Sequence, residues 1–287
     1  MVGTKQTIND SEDEKDVLNQ VLEVYGKYTG NQLESICHQE EPWKQSRRGL
    51  STYEPCNNLI PDNIIFNYYA SFLPVAIDSI LEQTFKDWEL ILCDDGSKDD
   101  TYSVAKLYVD KHPDKIILLR NEKNMHLAAT LNRCLSVARG EYIARMDADD
   151  RCMPKRLEIE VAFLDEHPAI DCVGCGMIVF DENGERGVRL NVEYPTRDFL
   201  VHTTPFAHPT IVMRKYVYDK IGGYTTSGKS LRCDDTELWF RFYAEGFTGY
   251  NLQEPLYYYH ESVIDFKKRS FKSSLETFKV CIDGYKM

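Results

Sequence analysis

No stretch of this chain approaches 18 consecutive apolar residues, so no membrane-spanning helix can be read from it. Its start is acidic (Asp10, Glu12, Asp13, Glu14, Asp16) where a secretory signal would be basic and then apolar, which leaves a cytoplasmic protein as the expectation. Basic charge is scarce: 34 Lys and Arg stand against 46 Asp and Glu, a net charge of −12. That balance argues against nucleic-acid binding through a basic face, though not against capture of an anionic nucleotide through a cation. Paired metal-binding cysteines are also missing. Nine Cys are scattered from Cys37 to Cys281, and the lone CxxC, Cys172 and Cys175, has no second pair to complete a zinc site. Its neighbours Ile170, Val173 and Ile178 suggest instead a buried strand with reduced thiols. What remains, 43% hydrophobic and 28% charged over 287 residues, is the composition of a globular protein of one large α/β domain or two small ones.

The chain changes character near residue 66. Before it, Val17, Leu18, Val21, Leu22, Val24 and Tyr25 recur at helical spacing behind an acidic first turn, and Thr29 with Gln32 forms a capping-box pattern for a second helix closed by Pro42. The basic patch Lys44, Arg47 and Arg48 reads as a solvated face. From Ser71 onward helices and strands alternate. A helix begins near Pro74; strands are expected at Glu89–Cys93, Lys115–Leu119 and Tyr142–Met146, with helices at Asp100–Val109 and Met125–Ala138, the latter capped by Gly140. This alternation predicts a mostly parallel sheet with helices on both faces, in which ligands collect beyond the carboxyl ends of the strands. After Pro154 a helix should run to His167. A hairpin should then turn at Asn183 and Gly184 between Met177–Phe180 and Gly187–Leu190.

Two acidic clusters fall where a ligand should sit. Asp94 and Asp95 follow one strand; Asp147, Asp149 and Asp150 end another, in the run YIARMDADD. Three carboxylates a few Å apart raise one another's pKa unless a cation or hydrogen bonds offset them. Hard oxygen ligands suit Mg²⁺ or Mn²⁺, ions that sit on one or two carboxylates plus substrate phosphates; a solvated acidic turn is the plain alternative. Asp234 and Asp235 precede an amphipathic helix carrying Leu238, Trp239, Phe240 and Phe242, where carboxylates also gain from the helix dipole. Arg145 can neutralise a phosphate or pair with a neighbouring aspartate. His208 can line a cleft or serve the core, and Trp239 reads as core.

Five motifs in order, IDSILEQTF (77–85), WELILCDDGSKDDT (88–101), NRCLSVARGEYIARMDADD (132–150), AHPT (207–210) and CDDTELWFR (233–241), resemble the family 2 glycosyltransferases, the inverting enzymes of the GT-A fold. The resemblance spans about residues 72–262. It implies a mixed α/β sheet with helices on both faces that moves a sugar from a nucleotide-diphosphate donor, uridine diphosphate foremost, to a glycan or lipid-linked acceptor. By that resemblance Asp95 contacts the base; Asp147 and Asp149 hold the nucleotide; Asp149 and Asp150 contact Mg²⁺ or Mn²⁺; and Asp235 is the catalytic base. His260 stands where family members carry a His near the metal or diphosphate.

The first strand departs from the family pattern. Where the family opens with Val-Ser-Val-Ile-Met-Pro-Val-Tyr-Asn, this chain has NIIFNYYAS (63–71); Tyr68 falls on the family's tyrosine, but Phe66 replaces the proline and Tyr69 the asparagine. Ile64, Ile65, Phe66 and Tyr68 have the β-branched and aromatic character of a replacement strand. Upstream, residues from about 25 to 69 resemble the C-terminal part of a Panacea-type antitoxin-like domain, which is helical there, so 63–69 is claimed twice. The expected organisation is a helical fragment over 1–62, a glycosyltransferase domain over 63–265 and a helical tail over 266–287. The basic tail Lys267, Lys268, Arg269 and Lys272 could touch the inner membrane face or be solvated. A fusion whose first strand is replaced could also be catalytically inactive, a nucleotide-binding remnant or a partner-binding module.

Overall fold

The computed structural model describes residues 71–181, 184–226, 234–261 and Gly284. The helices expected before residue 63, Tyr68, both basic patches and the turn residue Asn183 lie outside them.

Helix α1 (Phe72–Leu81) buries Leu73, Ala76, Ile77 and Ile80, a 3–4 spacing that makes one apolar stripe, and its Pro74 sits in the first turn where a missing N–H costs nothing. Strand β1 (Leu90–Asp94) runs parallel to β2 (Ile116–Arg120), in register from Leu90↔Ile116 to Asp94↔Arg120. Between them α2 (Thr101–Lys111) stops at His112, before Pro113 forbids another turn. Helix α3 (His126–Val137) follows. Gly140 is not its cap: the helix ends in an extended Ala138 (φ −67°, ψ 130°), and Gly140 has no left-handed φ. Strand β3 (Tyr142–Ala144) is two residues shorter than expected. Its partner chain turns into a 3₁₀ helix at His208–Thr210, so beyond Ala144↔Val212 only the Arg145 N–H still reaches across, to Ile211 O at 3.0 Å.

Strand β4 (Arg151–Cys152) and α4 (Arg156–Glu166) lead into the hairpin β5 (Cys172–Asp181) and β6 (Gly184–Arg189). Then come β7 (Val212–Arg214), α5 (Lys215–Ile221), which ends in the left-handed Gly222 (φ +77°), α6 (Asp234–Ala244) and β8 (Gly249–His260). Six strands form one sheet, ordered β3-β7-β5-β8-β4, with β6 added against β5. The mostly parallel sheet expected from the alternation is corrected to a mixed one: β1 with β2 and β5 with β8 are parallel, and every other pair is antiparallel. Among the described residues no strand joins β1–β2 to the six-stranded sheet.

Strand β8 is longer than its sequence suggests, because polar Asn251, Gln253 and Glu254 and then Pro255 interrupt the apolar pattern. Pro255 is accommodated opposite Gly176, where the ladder shifts register. The core packs α6 (Leu238, Trp239, Phe240, Phe242) against Phe206, Ile211, Met213 and Val217. Cys172 and Cys175 are fully buried free thiols, both pushed well above the ordinary thiol range by burial, as expected for structural cysteines.

Candidate active site

Asp94 and Asp95, indistinguishable by composition, have different surroundings. Asp94 is buried and committed: Oδ2 pairs with Arg120 Nε at 3.0 Å and Oδ1 accepts from Ser97 N–H at 3.1 Å. Asp95 Oδ1 accepts from Asn121 Nδ2 (2.6 Å) and from Met125 N–H (2.8 Å), leaving its second oxygen without a partner among the described residues. Gly96 makes this closeness feasible, since a Cβ there would lie 2.9 Å from the Lys123 carbonyl carbon, and its φ is +77°. The Met125 bond leads directly to His126, the one described non-glycine residue with positive φ (+67°).

The carboxylate trio divides by environment as well. Arg145, nearly buried, grips Asp147 with both arms, Nη1 to Oδ2 at 2.7 Å and Nη2 to Oδ1 at 2.6 Å. Pairing is therefore Arg145's role in this structure; burial raises the Asp147 carboxyl and the guanidinium opposes it. Asp150, expected as a metal contact, is 1% exposed and has both oxygens engaged: Oδ1 accepts from His260 N–H (2.7 Å) and Oδ2 from the Tyr257 hydroxyl (2.8 Å). Burial, reinforced by the charge of Asp147, pushes Asp150 up to about 8. Asp149 is the outward member, its side chain 53% exposed, with Oδ2 3.6 Å from His260 Nδ1.

Asp234 and Asp235 begin α6 as expected. Burial and the charge of Asp235 push Asp234 up to about 6, while Asp235 Oδ1 accepts from Thr236 N–H at 2.7 Å. The loop leading toward them is clamped from two helices. Asn132 of α3 holds both backbone polar atoms of Tyr224 (2.7 and 2.8 Å), and Arg241 of α6 donates to Ile221 O (2.6 Å) and Gly223 O (2.8 Å) while paired with Glu237. Burial, above all, pushes the Tyr224 hydroxyl up to about 12. His208 serves the core: it is buried, Nε2 lies 2.8 Å from Tyr224 Oη, and burial holds its pKa well below the usual imidazole value. Trp239 is core as well, fully buried. Asp95 and the trio have no direct contact, and Tyr68 lies outside the described residues. Tyr257, Asn121 and Asn132 are the participants that residue patterns missed; only Asn132 lies within a quoted motif.

Among the described residues no three His, Cys, Asp or Glu side chains converge as a ready-made metal group.

The glycosyl transferase family 2 model matches residues 64–237. The chain belongs to that family. EpsE of Bacillus subtilis (strain 168), which carries a glycosyltransferase name, is 49% identical over 204 residues, covering 71% of this chain and 73% of EpsE. The O-antigen biosynthesis glycosyltransferase WbnJ of Escherichia coli is 33% identical over 184 residues, covering 62% of this chain and 68% of its own. Among solved structures, S. aureus TarS 1–349 in complex with UDP superposes with a TM-score of 0.57 at 20% identity, covering 75% of this chain and 63% of TarS 1–349. The mannosyltransferase PcManGT from Pyrobaculum calidifontis, in complex with GDP-Man and Mn²⁺, gives 0.53 at 21%, covering 75% and 61%. Both show the fold, the GT-A architecture. A second family model, the antitoxin SocA-like Panacea domain, matches residues 3–44. It ends before residue 63, so the segment 64–69 falls within the glycosyltransferase match alone.

Proposed function

We propose that this glycosyltransferase moves a sugar from a nucleoside diphosphate, uridine diphosphate first, to a glycan or lipid-linked acceptor with inversion and with the help of Mg²⁺ or Mn²⁺. The observation that carries the reading is the division of labour in the trio: Asp147 and Asp150 are already held by protein partners, while exposed Asp149 faces His260 at 3.6 Å. One carboxylate oxygen and one imidazole nitrogen are a donor set for Mn²⁺ or Mg²⁺, and two protein ligands suffice when substrate phosphates complete the shell. Asp149 and His260 would hold the ion, which supplies Lewis-acid neutralisation of the leaving diphosphate.

The remaining roles belong to the chain. The open oxygen of Asp95 can accept from a base N–H, with Asn121 and Met125 fixing the carboxylate. Asp147, tied to Arg145, orients the nucleotide. Asp235, at the tip of α6, takes the proton of the acceptor hydroxyl as it attacks the face opposite the leaving group, in one inverting displacement. The match beginning at Ile64 supports assigning 64–68 as the first strand, with Tyr68 against the base, in a domain running from 63 to about 265. The O-antigen role named for WbnJ supports a cell-surface glycan or its lipid-linked precursor as acceptor, met at the inner membrane face. No described helix is long and apolar enough to cross a membrane.

A screen of nucleotide sugars for released nucleoside diphosphate, with and without Mn²⁺, tests the reading. Metal-dependent turnover of one donor supports it. UDP binding without turnover of any donor would leave the inactive-remnant reading in its place.

A further inference from the structure

One buried phenol binds the loop that carries Asp147 and Asp149 at two points. Tyr257, on β8, is fully buried. Its hydroxyl donates to Asp150 Oδ2 at 2.8 Å and accepts from the Asp147 N–H at 3.2 Å, so one group binds the loop on both sides of Asp149. A phenol has one proton to give and lone pairs to receive, and both capacities are used here. The ring is fixed in turn by Arg156, whose guanidinium carbon lies 4.9 Å from the ring centre. Arg156 is itself buried and paired with Glu160 at 2.8 Å; it donates to Arg145 O (3.1 Å) and to Cys152 Sγ (3.1 Å), the two ends of the same loop.

We propose that Tyr257 is a positioning residue of the donor site, setting the carboxylate loop through Asp150 and the Asp147 N–H so that Asp149 stands opposite His260, with Asp150 acting as a strut and not as a metal ligand. Asp150 cannot turn to a cation without giving up bonds at both oxygens in a buried site, and no other described group replaces them. Asp149, by contrast, has a free approach from solvent. The inference rests on the metal-assisted reading above, and it adds a residue that never touches substrate.

The test is Mn²⁺ titration of the full chain in the presence of UDP, by calorimetry, together with the metal dependence of donor turnover. Tyr257→Phe keeps the ring and its stacking on Arg156 and removes only the hydroxyl. Its Mn²⁺ affinity should fall about 10- to 100-fold, the usual cost of losing a group that orients a ligand. UDP affinity without metal should fall far less than Mn²⁺ affinity, because Arg145 still holds the Asp147 carboxylate, and turnover should recover at high Mn²⁺. In Asp150→Asn the amide oxygen still accepts from His260 N–H and the amide nitrogen donates to Tyr257 Oη, a reversed bond that still ties the loop to the phenol, so affinity should stay near wild type while Asp149→Asn abolishes it. Unchanged Mn²⁺ affinity in Tyr257→Phe would overturn the proposal. So would an Asp150→Asn variant as defective as Asp149→Asn, and that arm decides the matter if Tyr257→Phe fails to fold. Wild-type protein that binds no Mn²⁺ with UDP present would overturn the metal reading and this inference together, whereas normal wild-type binding with an unaffected Tyr257→Phe would overturn the inference alone.

Discussion

The Asp149 carboxylate and the His260 imidazole face each other across 3.6 Å, one from the loop after β3 and the other from the last residue of β8. The His260 ring is packed between Phe72 and Phe180, which fixes the nitrogen that faces Asp149. Removing either, by Asp149→Asn or His260→Ala, should lower metal-stimulated donor turnover about a hundredfold or more, in line with the several kcal/mol a Lewis acid contributes. Nucleoside diphosphate release with and without Mn²⁺ is the measurement, and wild-type rates in both variants would refute the pairing.

Asp235→Asn should separate chemistry from binding. General-base catalysis contributes roughly 10²- to 10⁴-fold, so kcat should drop by that order while UDP affinity stays constant. An equal loss of UDP affinity would place Asp235 with the donor instead.

His208 makes the stability of the fold depend on pH. Its pKa is held well below the unfolded value of about 6.5 because the ring is buried against Tyr224. The unfolded chain therefore binds the proton first, and stability is fully present above about pH 6.5 and falls as the pH drops toward the folded pKa, by up to about 1.4 kcal/mol per unit. The raised carboxyls of Asp150, Asp234 and Glu160 act in the opposite sense over the same range, so the His208 share is read by comparison: in urea unfolding at pH 7.5 and 5.5, wild type should lose more stability, or gain less, at the lower pH than His208→Gln does.

Gly223 admits no side chain. Its φ is +70°, and a Cβ would lie 2.4 Å from Asn132 Oδ1, the atom that accepts from Tyr224 N–H. Gly223→Ala should cost more than about 1 kcal/mol and loosen the approach to Asp235, measurable as a lower midpoint in denaturant together with a lower kcat.

If residues 64–68 form the first strand, their amides should be protected. Hydrogen exchange should be slow at Ile64 to Tyr68 and slow also at Leu90 to Asp94, which among the described residues has a strand partner on one edge only. Fast exchange at Ile64 to Tyr68 would remove Tyr68 from the site.

Local chemistry was legible where period and punctuation agree. Helix α1, expected to begin near Pro74, the stop before Pro113 and the paired aspartates opening α6 were readable from order along the chain; the buried face of α1, which includes Leu73, was not. The acidic clusters were readable too, but not which members face solvent. That Asp150 turns inward while Asp149 turns outward depends on Tyr257, more than a hundred positions away, which to the eye is one aromatic in a run of three. The length of β8 and the early end of β3 were hidden for a similar reason. Each depends on what the neighbouring strand does, a register shift at Gly176 in one case and a turn at His208 in the other.

The anchoring of the donor half in β8 and of the proposed base at a helix tip has an evolutionary consequence. Tyr257, Asp150 and the β5–β8 ladder are held by β8 and β5, so substitutions on the exposed side of the α6 tip leave them in place, whereas Gly223 and Asn132, which hold the turn at Tyr224, are not free to vary. Under the proposed roles, a lineage built this way can exchange the molecule it decorates while keeping the currency it draws on, and closely similar chains would then share a donor and diverge in product.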